Sequence, residues 1–438
     1  MGPSLHREVL LISVALSCSL RVSQHSCKSP LAQYILAFLL FFSAGYPLIT
    51  YFTKHPLSTL GAFNIGGINA SGQVPDMTGN WGLIDIETPQ DAYTKTGYDG
   101  SEMDLVFSDE FNVPNRTFYP GDDPYWEAVD LHYWQTNNME WYDPSAITTQ
   151  DGHLTITLSH TLNHDLNYMG GLLSTWNKFC FTGGRIEAAV TLPGTTSVVG
   201  LWPAVWTMGN LGRAGYGASL EGMWPYTYDS CDVGTLPNQT DPSGNPAAAT
   251  VNGDPSANGA LSYLQGQRLS ACTCPNESHP GPMKSDGTLT GRSAPEIDLF
   301  EAQIDTSRLV GTVSQSAQWA PFNNAYTWLN TSANLIIPNP TASKLNPYKG
   351  GAFQQATSVV SDTNQNCYTQ SGTGCFAVYG YEYKPGVDGA YITWINDNQA
   401  AWTINAAGMG PDNIVQISQR PVPQEPMVCH SLTFLKKI

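Results

Sequence analysis

Ser293-Ala-Pro-Glu296-Ile-Asp298-Leu-Phe-Glu301-Ala-Gln303 places three carboxylates within six residues, on an apolar background of Ile297, Leu299 and Phe300. Such a run reads as a half-buried β-strand, and an ionised group loses hydration when a strand is buried. Charges therefore rarely sit there without a task. Two carboxylates facing each other are the minimal apparatus for cleaving a glycosidic bond. A lone Glu-x-Asp would read as the solvent face of a strand. Glu-x-Asp-x-x-Glu, hemmed by Pro295 and apolar neighbours, reads as catalytic machinery.

The spacing sets a geometric condition. Strand side chains alternate between faces, so Glu296 and Asp298 share one while Glu301 should point to the other. A β-bulge near Leu299 or Phe300 restores the parity, because it adds one residue to one strand and re-aims the side chains beyond it. In a flat strand the two glutamate Cα atoms would lie roughly 16 Å apart, at ~3.3 Å per residue. Retaining glycosidases hold their carboxyls ~5–5.5 Å apart, so the side chains must lean together over a concave, bent strand. Three clustered carboxylates cannot all ionise cheaply, and at least one pKa is expected to rise.

Outward from this stretch the chain reads as all-β. Strand-like runs appear at Asp104–Phe107, Leu154–Leu158, Gly184–Val190 and Leu201–Met208. They continue at Val310–Ser316, Phe376–Tyr383, Ala390–Ile395 and Ala401–Ile404. Long amphipathic helices are hard to find, while 41 Gly and 30 Pro supply turns, a pattern that favours a sandwich. Residues 234–292 form a long Pro/Gly/Ser/Asn-rich insertion without periodicity, placed to wall a cleft.

Glu296-Ile-Asp298-Leu-Phe-Glu301 resembles the signature of glycoside hydrolase family 16 in its bulged variant. Longer strings resemble the fungal β-glucan synthesis-associated proteins within that superfamily. These are Asn177-Lys-Phe-Cys180-Phe-Thr-Gly-Gly184, Gly200-Leu-Trp202-Pro-Ala-Val-Trp206-Thr-Met-Gly-Asn210-Leu-Gly-Arg213, and Trp224-Pro-Tyr-Thr-Tyr-Asp-Ser-Cys231-Asp. The likeness runs from about residue 45 to about residue 427. It implies a concanavalin-like β-jelly-roll sandwich and a type II membrane protein of cell-wall β-1,6-glucan synthesis. It also implies Glu296 as nucleophile, Glu301 as general acid/base and Asp298 as the helper between them.

Aromatic faces stack on sugar rings, and 12 Trp and 21 Tyr offer many. Most belong in the core of a β-sandwich. Trp202 and Trp206 are the expected exceptions, on one face of a strand at even spacing. Trp319 is a weaker candidate, and Asn210 and Arg213 are placed either to hydrogen-bond sugar hydroxyls or to pin a loop.

Composition and compartment agree with this. Only 13% of residues are charged and the net charge is −17, which argues against nucleic acid. Residues 1–30 read as a cytosolic tail, residues 31–53 as a transmembrane signal anchor and residues 54–90 as a lumenal stem. Leu31 to Phe52 is uncharged and long enough for a bilayer, with Arg7, Arg21 and Lys28 before it. Beyond the anchor lie five sequons, at Asn69, Asn115, Asn238, Asn276 and Asn330, and seven cysteines in an oxidising compartment. Their disulfide pairing is open, with one cysteine left over.

No cofactor or metal is expected. His160 and His164 sit in a turn-like Ser-His-Thr-Leu-Asn-His-Asp without a third ligand, and no phosphate-binding, dinucleotide or nucleophile-elbow motif occurs. Two departures from the family stand out. Phe376-Ala377-Val378-Tyr379 has Ala where many family 16 hydrolases carry His. After Met427 the family-like domain, placed at residues 91–430, gives way to a divergent end at 431–438, expected to leave a central sheet short of a strand. Two functions fit these readings: a membrane-anchored retaining glycosidase or transglycosylase acting on β-glucan, or a non-catalytic glucan-binding assembly factor.

Overall fold

Runs with a period of two pair into antiparallel ladders in the computed structural model. It describes residues 45, 46, 50, 82–210, 212–216, 294–319, 327–349, 355–371, 373–411 and 419–435. The chain divides into two compact units, Met1–Leu60 and Gly61–Ile438, and the architecture below is that of the second. The expected anchor lies outside the described residues save for positions 45, 46 and 50. The insertion 234–292 and Asn69, Asn238 and Asn276 also lie outside them. No helix among the described residues is long and apolar enough to cross a membrane.

The strands run in chain order from a small hairpin, β1 (Thr94–Thr96) and β2 (Glu102–Asp104), to β3 (Glu127–Ala128) and β4 (Glu140–Tyr142). A second hairpin joins β5 (Ile147–Gln150) to β6 (His153–Ile156). Then come β7 (Tyr168–Ser174), β8 (Gly184–Val190), β9 (Leu201–Gly209), β10 (Glu296–Asp305) and β11 (Val310–Trp319). β12 (Leu335–Ile336), β13 (Ser343–Leu345), β14 (Gln355–Asp362) and β15 (Ala377–Lys384) come next. β16 (Tyr391–Asn396), β17 (Gln399–Asn405) and β18 (Met427–Leu435) complete the set. The larger sheet has the order β13-β14-β11-β10-β9-β18-β7-β3, with β4 added parallel to β7; the smaller is β12-β17-β16-β15-β8.

The two sheets close over one core. Leu299, Phe300, Val313, Trp319 and Val359 of the larger sheet meet Tyr379, Tyr381, Ile392, Trp394 and Trp402 of the smaller. Trp394 and Trp402 stack with centroids 4.1 Å apart and planes 1° from parallel. Packing against backbone is tight at Gly380, where an added Cβ would meet the Ile186 carbonyl oxygen at 2.4 Å. Backbone cannot yield as a side chain can. Gly380→Ala is therefore expected to cost ~1–3 kcal/mol and to lower Tm by about 3–10 °C in a thermal melt.

One sequence expectation changes here. The segment after Met427 does not leave the sheet short of a strand: it forms β18, seated between β9 and β7, with Val428 opposite Met208 and Leu432 opposite Leu172. Ala377 lies in the smaller sheet, fully buried in the core beside Tyr379, so its identity bears on packing between sheets. β7 carries Gly170-Gly171, and the close approach explains the second glycine: an added Cβ on Gly171 would meet Ile147 of the β5–β6 hairpin at 2.5 Å. Elsewhere, Cys367 and Cys375 form a disulfide, while Cys180 and Cys429 are unbridged among the described residues. The remaining cysteines past the stem lie outside the described residues. His164 occupies a turn at φ 46° and stacks on Trp141. Asn115 and Asn330 are exposed.

Candidate active site

Register across the larger sheet sets one row of side chains on a single face. Glu127, Ser174, His430, Trp206, Asp298, Ser316 and Ser358 stand directly opposite one another on successive strands. Trp206 is at the middle of this row, with Asp298 next to it.

The expected bulge is present. On β11, Asp298 pairs with Ser316 and Glu301 with Ser314, so β10 covers three steps against two. On β9 the register shifts between Asp298 and Phe300. Glu296, Asp298 and Glu301 thereby face the same way, while Leu299 and Phe300 both enter the core. A bulge leaves backbone groups without ladder partners, which must be satisfied elsewhere. Here side chains do so. Thr207 Oγ1 donates to the Ile297 carbonyl at 2.9 Å, Trp394 Nε1 to that of Asp298 at 2.8 Å and Gln315 Nε2 to that of Leu299 at 2.8 Å. The Trp394 indole reaches across from the other sheet.

Electrostatics separate the acids. Asp298 is 1% exposed and accepts hydrogen bonds from Ser316 Oγ at 2.6 Å and Gln318 Nε2 at 3.1 Å. Burial raises its pKa to about 6, with Ser316, Gln318 and Glu296 pulling the other way. Glu296 is pushed well above the carboxylate range, first by burial and then by the charges of Asp298 and Glu301. The two titrate as a unit, with the shared proton residing on Glu296 as donor to Asp298. Glu296 Oε2 and Gln318 Oε1 are buried without a partner among the described residues. Glu301 is half-buried and accepts from the Trp202 indole, Nε1 to Oε1, at 3.0 Å.

The other predicted residues divide. Trp202 and Trp206 lie on the acid-bearing face, Trp206 only 5% exposed and stacked on His430 at 4.4 Å. Arg213 lies over Trp176 and Tyr216, its guanidinium carbon 4.4 and 3.9 Å from the ring centroids. The backbone of Asn210 donates to the Pro426 carbonyl, tying the end of β9 to the chain entering β18. Trp319 corrects the expectation of a cleft residue. It alternates with Gln318, so it faces the core at 1% exposure, with its Nε1 bonded to Thr357.

Sequence reasoning missed Ser316, Gln318, Tyr133 and His430. The alternation Thr312-x-Ser314-x-Ser316-x-Gln318 marks a polar face and could have flagged the first two. Tyr133, buried beside Glu296, Glu301 and Asp298, carries no such signal; burial first, then those charges, raise its hydroxyl pKa. Among the described residues no cluster of metal-ligating side chains occurs.

Known proteins can be set beside this geometry. The chain is 45% identical over 347 residues to the beta-glucan synthesis-associated protein KRE6 of Saccharomyces cerevisiae, covering 79% of this chain and 44% of that one. It is 44% identical to SKN1 of the same yeast, covering 79% of this chain and 42% of the relative. It thus spans less than half the length of these relatives. Among solved structures, the endo-beta-1,3-glucanase from Pyrococcus furiosus aligns at 14% identity and a TM-score of 0.41, covering 78% of this chain and 88% of that one. Residues 20–432 match the beta-glucan synthesis-associated proteins SKN1/KRE6/Sbg1, and the chain belongs to that family.

Proposed function

We propose that this chain is a membrane-anchored retaining glycosidase or transglycosylase acting on β-glucan in the building of a fungal cell wall. The observation that carries this reading is the bulge in β10, which turns Glu296, Asp298 and Glu301 to one face. Glu296 attacks the anomeric carbon, the bond to the leaving oxygen breaks, and Glu301 hands that oxygen a proton. Water or a sugar hydroxyl then resolves the intermediate and returns its proton to Glu301. Asp298, held by Ser316 and Gln318, takes up the proton that Glu296 must shed before it attacks. Trp202 fixes the Glu301 carboxylate through its indole N–H.

The reading extends to a concanavalin-like jelly roll and to a type II protein held by residues 31–53, its domain lumenal or extracellular. The names of the yeast relatives support a place in β-glucan synthesis; β-1,6-glucan is the polymer this reading proposes. Exposed Asn115 and Asn330 would then be open to glycan attachment.

The test is to incubate the purified chain with β-1,3- and β-1,6-gluco-oligosaccharides and track products by mass spectrometry. Shortened or lengthened sugars with retained anomeric configuration are expected. One observation favours a second reading, a glucan-binding assembly factor: burial keeps Glu296 protonated, and a carboxylic acid is a poor nucleophile. Sugars bound but unchanged would establish that reading instead. Trp202→Phe keeps the ring and removes the hydrogen bond to Glu301. It is expected to slow turnover roughly 10- to 100-fold, the worth of one bond to a charged group.

A further inference from the structure

On the acid-bearing face, past Trp206 along the row, a recess of about 10 Å³ is lined by Glu127, Ser174, Trp176, Arg213 and His430, among others. That is room for about one water-sized group. Its walls carry three nitrogens that nothing among the described residues satisfies: Nδ1 and Nε2 of His430 and Nε1 of Trp176 are buried without hydrogen-bond partners. His430 itself is 1% exposed. Buried polar groups are almost always paired, because desolvating one without a partner costs free energy. Two such side chains at one small recess therefore point to a ligand group.

Neither ring is positioned to turn away. His430 is clamped by its stack on Trp206 and stands directly between Ser174 and Trp206 in the sheet. The Trp176 ring lies under the Arg213 guanidinium. Ser174 Oγ accepts the Trp176 backbone N–H at 3.0 Å, which orients its hydroxyl. Burial lowers the His430 pKa to about 3, so the imidazole is neutral, one nitrogen donating and the other accepting.

These walls dictate the chemistry of the group that fits. It must accept from the indole N–H, either donate to the imidazole or accept from it, and fit the volume of one water. A hydroxyl meets these conditions. A carboxylate or phosphate is too large and would face Glu127. The recess is two to three strands from β10, roughly 10–14 Å at ~4.8 Å per strand, farther than the sugar joined at the reacting bond.

We infer that this recess is a hydroxyl-reading subsite, engaging one hydroxyl of a saccharide unit remote from the bond that reacts. The inference rests on the β-glucan reading above. Binding energy from such a remote unit can be used at the reacting centre.

The test uses the full chain carrying Glu296→Gln, so that sugars are not turned over, and titrates gluco-oligosaccharides of increasing length by calorimetry. Adding His430→Phe keeps a ring against Trp206 and removes both nitrogens. Affinity for the longer oligosaccharides is expected to fall about five- to tenfold, while that for a disaccharide stays unchanged. Trp176→Phe should act in the same direction, and it decides the matter if the His430 variant does not fold. An oligosaccharide lacking the one hydroxyl should lose affinity for the parent but not for the variant. Equal binding of every length by parent and folded variants overturns the subsite alone. If the parent binds no gluco-oligosaccharide, the subsite and the β-glucan reading fall together.

Discussion

Glu296→Gln is expected to abolish turnover, by roughly 10³-fold or more, while making the protein more stable at neutral pH. The two effects share one cause. Glu296 is 8% exposed and Asp298 1%, and each bears a pKa raised chiefly by burial. An acid with a raised pKa binds its proton more tightly in the folded state than in the unfolded one. The pair's contribution to stability is therefore fully present below the ordinary value of 3.8 and is lost as pH rises through about 6 and beyond. Glutamine fills the same volume, and its amide can donate to Asp298 as the protonated acid does. At pH 7 the variant should gain on the order of 1–3 kcal/mol, or about 3–10 °C in Tm. Thermal melts of both proteins at pH 5 and pH 7.5 check this. The gap should widen at the higher pH, and a variant that melts no later than its parent at pH 7.5 sinks the electrostatic account.

The second large effect concerns what holds the bulge. Gln315 is fully buried, and its Nε2 donates at 2.8 Å to two carbonyls, Leu299 on the bulge and Ile395 on the opposite sheet. Gln315→Leu preserves volume and removes both donors. Two carbonyls would be left orphaned, offset in part because Gln315 Oε1, buried without a partner among the described residues, also goes. A loss of about 2–4 kcal/mol is expected, or ~5–15 °C in Tm. Function should fall as well, because an unpinned bulge no longer aims Asp298 and Glu301 alike. Val359→Ala, a core truncation away from the bulge, supplies the comparison. At a temperature where both are folded, kcat should drop about 10- to 100-fold in Gln315→Leu only, since small misplacements of reacting groups cost that much. Equal kcat values in the two variants would fell this account.

Much of the site was legible beforehand. Glu296, Asp298 and Glu301 could be brought to one face only by an extra residue, and parity alone placed that residue near Leu299 or Phe300. Trp202 and Trp206 were legible from even spacing within a strand. The same parity could not place Trp319: alternation separates it from Gln318 but does not say which of the two faces the core. Periodicity is blind to that choice until another sheet covers one side.

Period-two patterning within the chain was enough to specify an all-β architecture and the bulged acidic strand, because those depend on contacts between residues close in sequence. Long-range pairing settled the rest. Only the register of β18 between β9 and β7 puts His430 beside Trp206, and only the packing of the sheets brings Trp394 onto the Asp298 carbonyl. The proton balance of Glu296 and Asp298 was likewise a tertiary matter: a pKa answers to lost solvent and near neighbours, and both arise when distant strands close over the site.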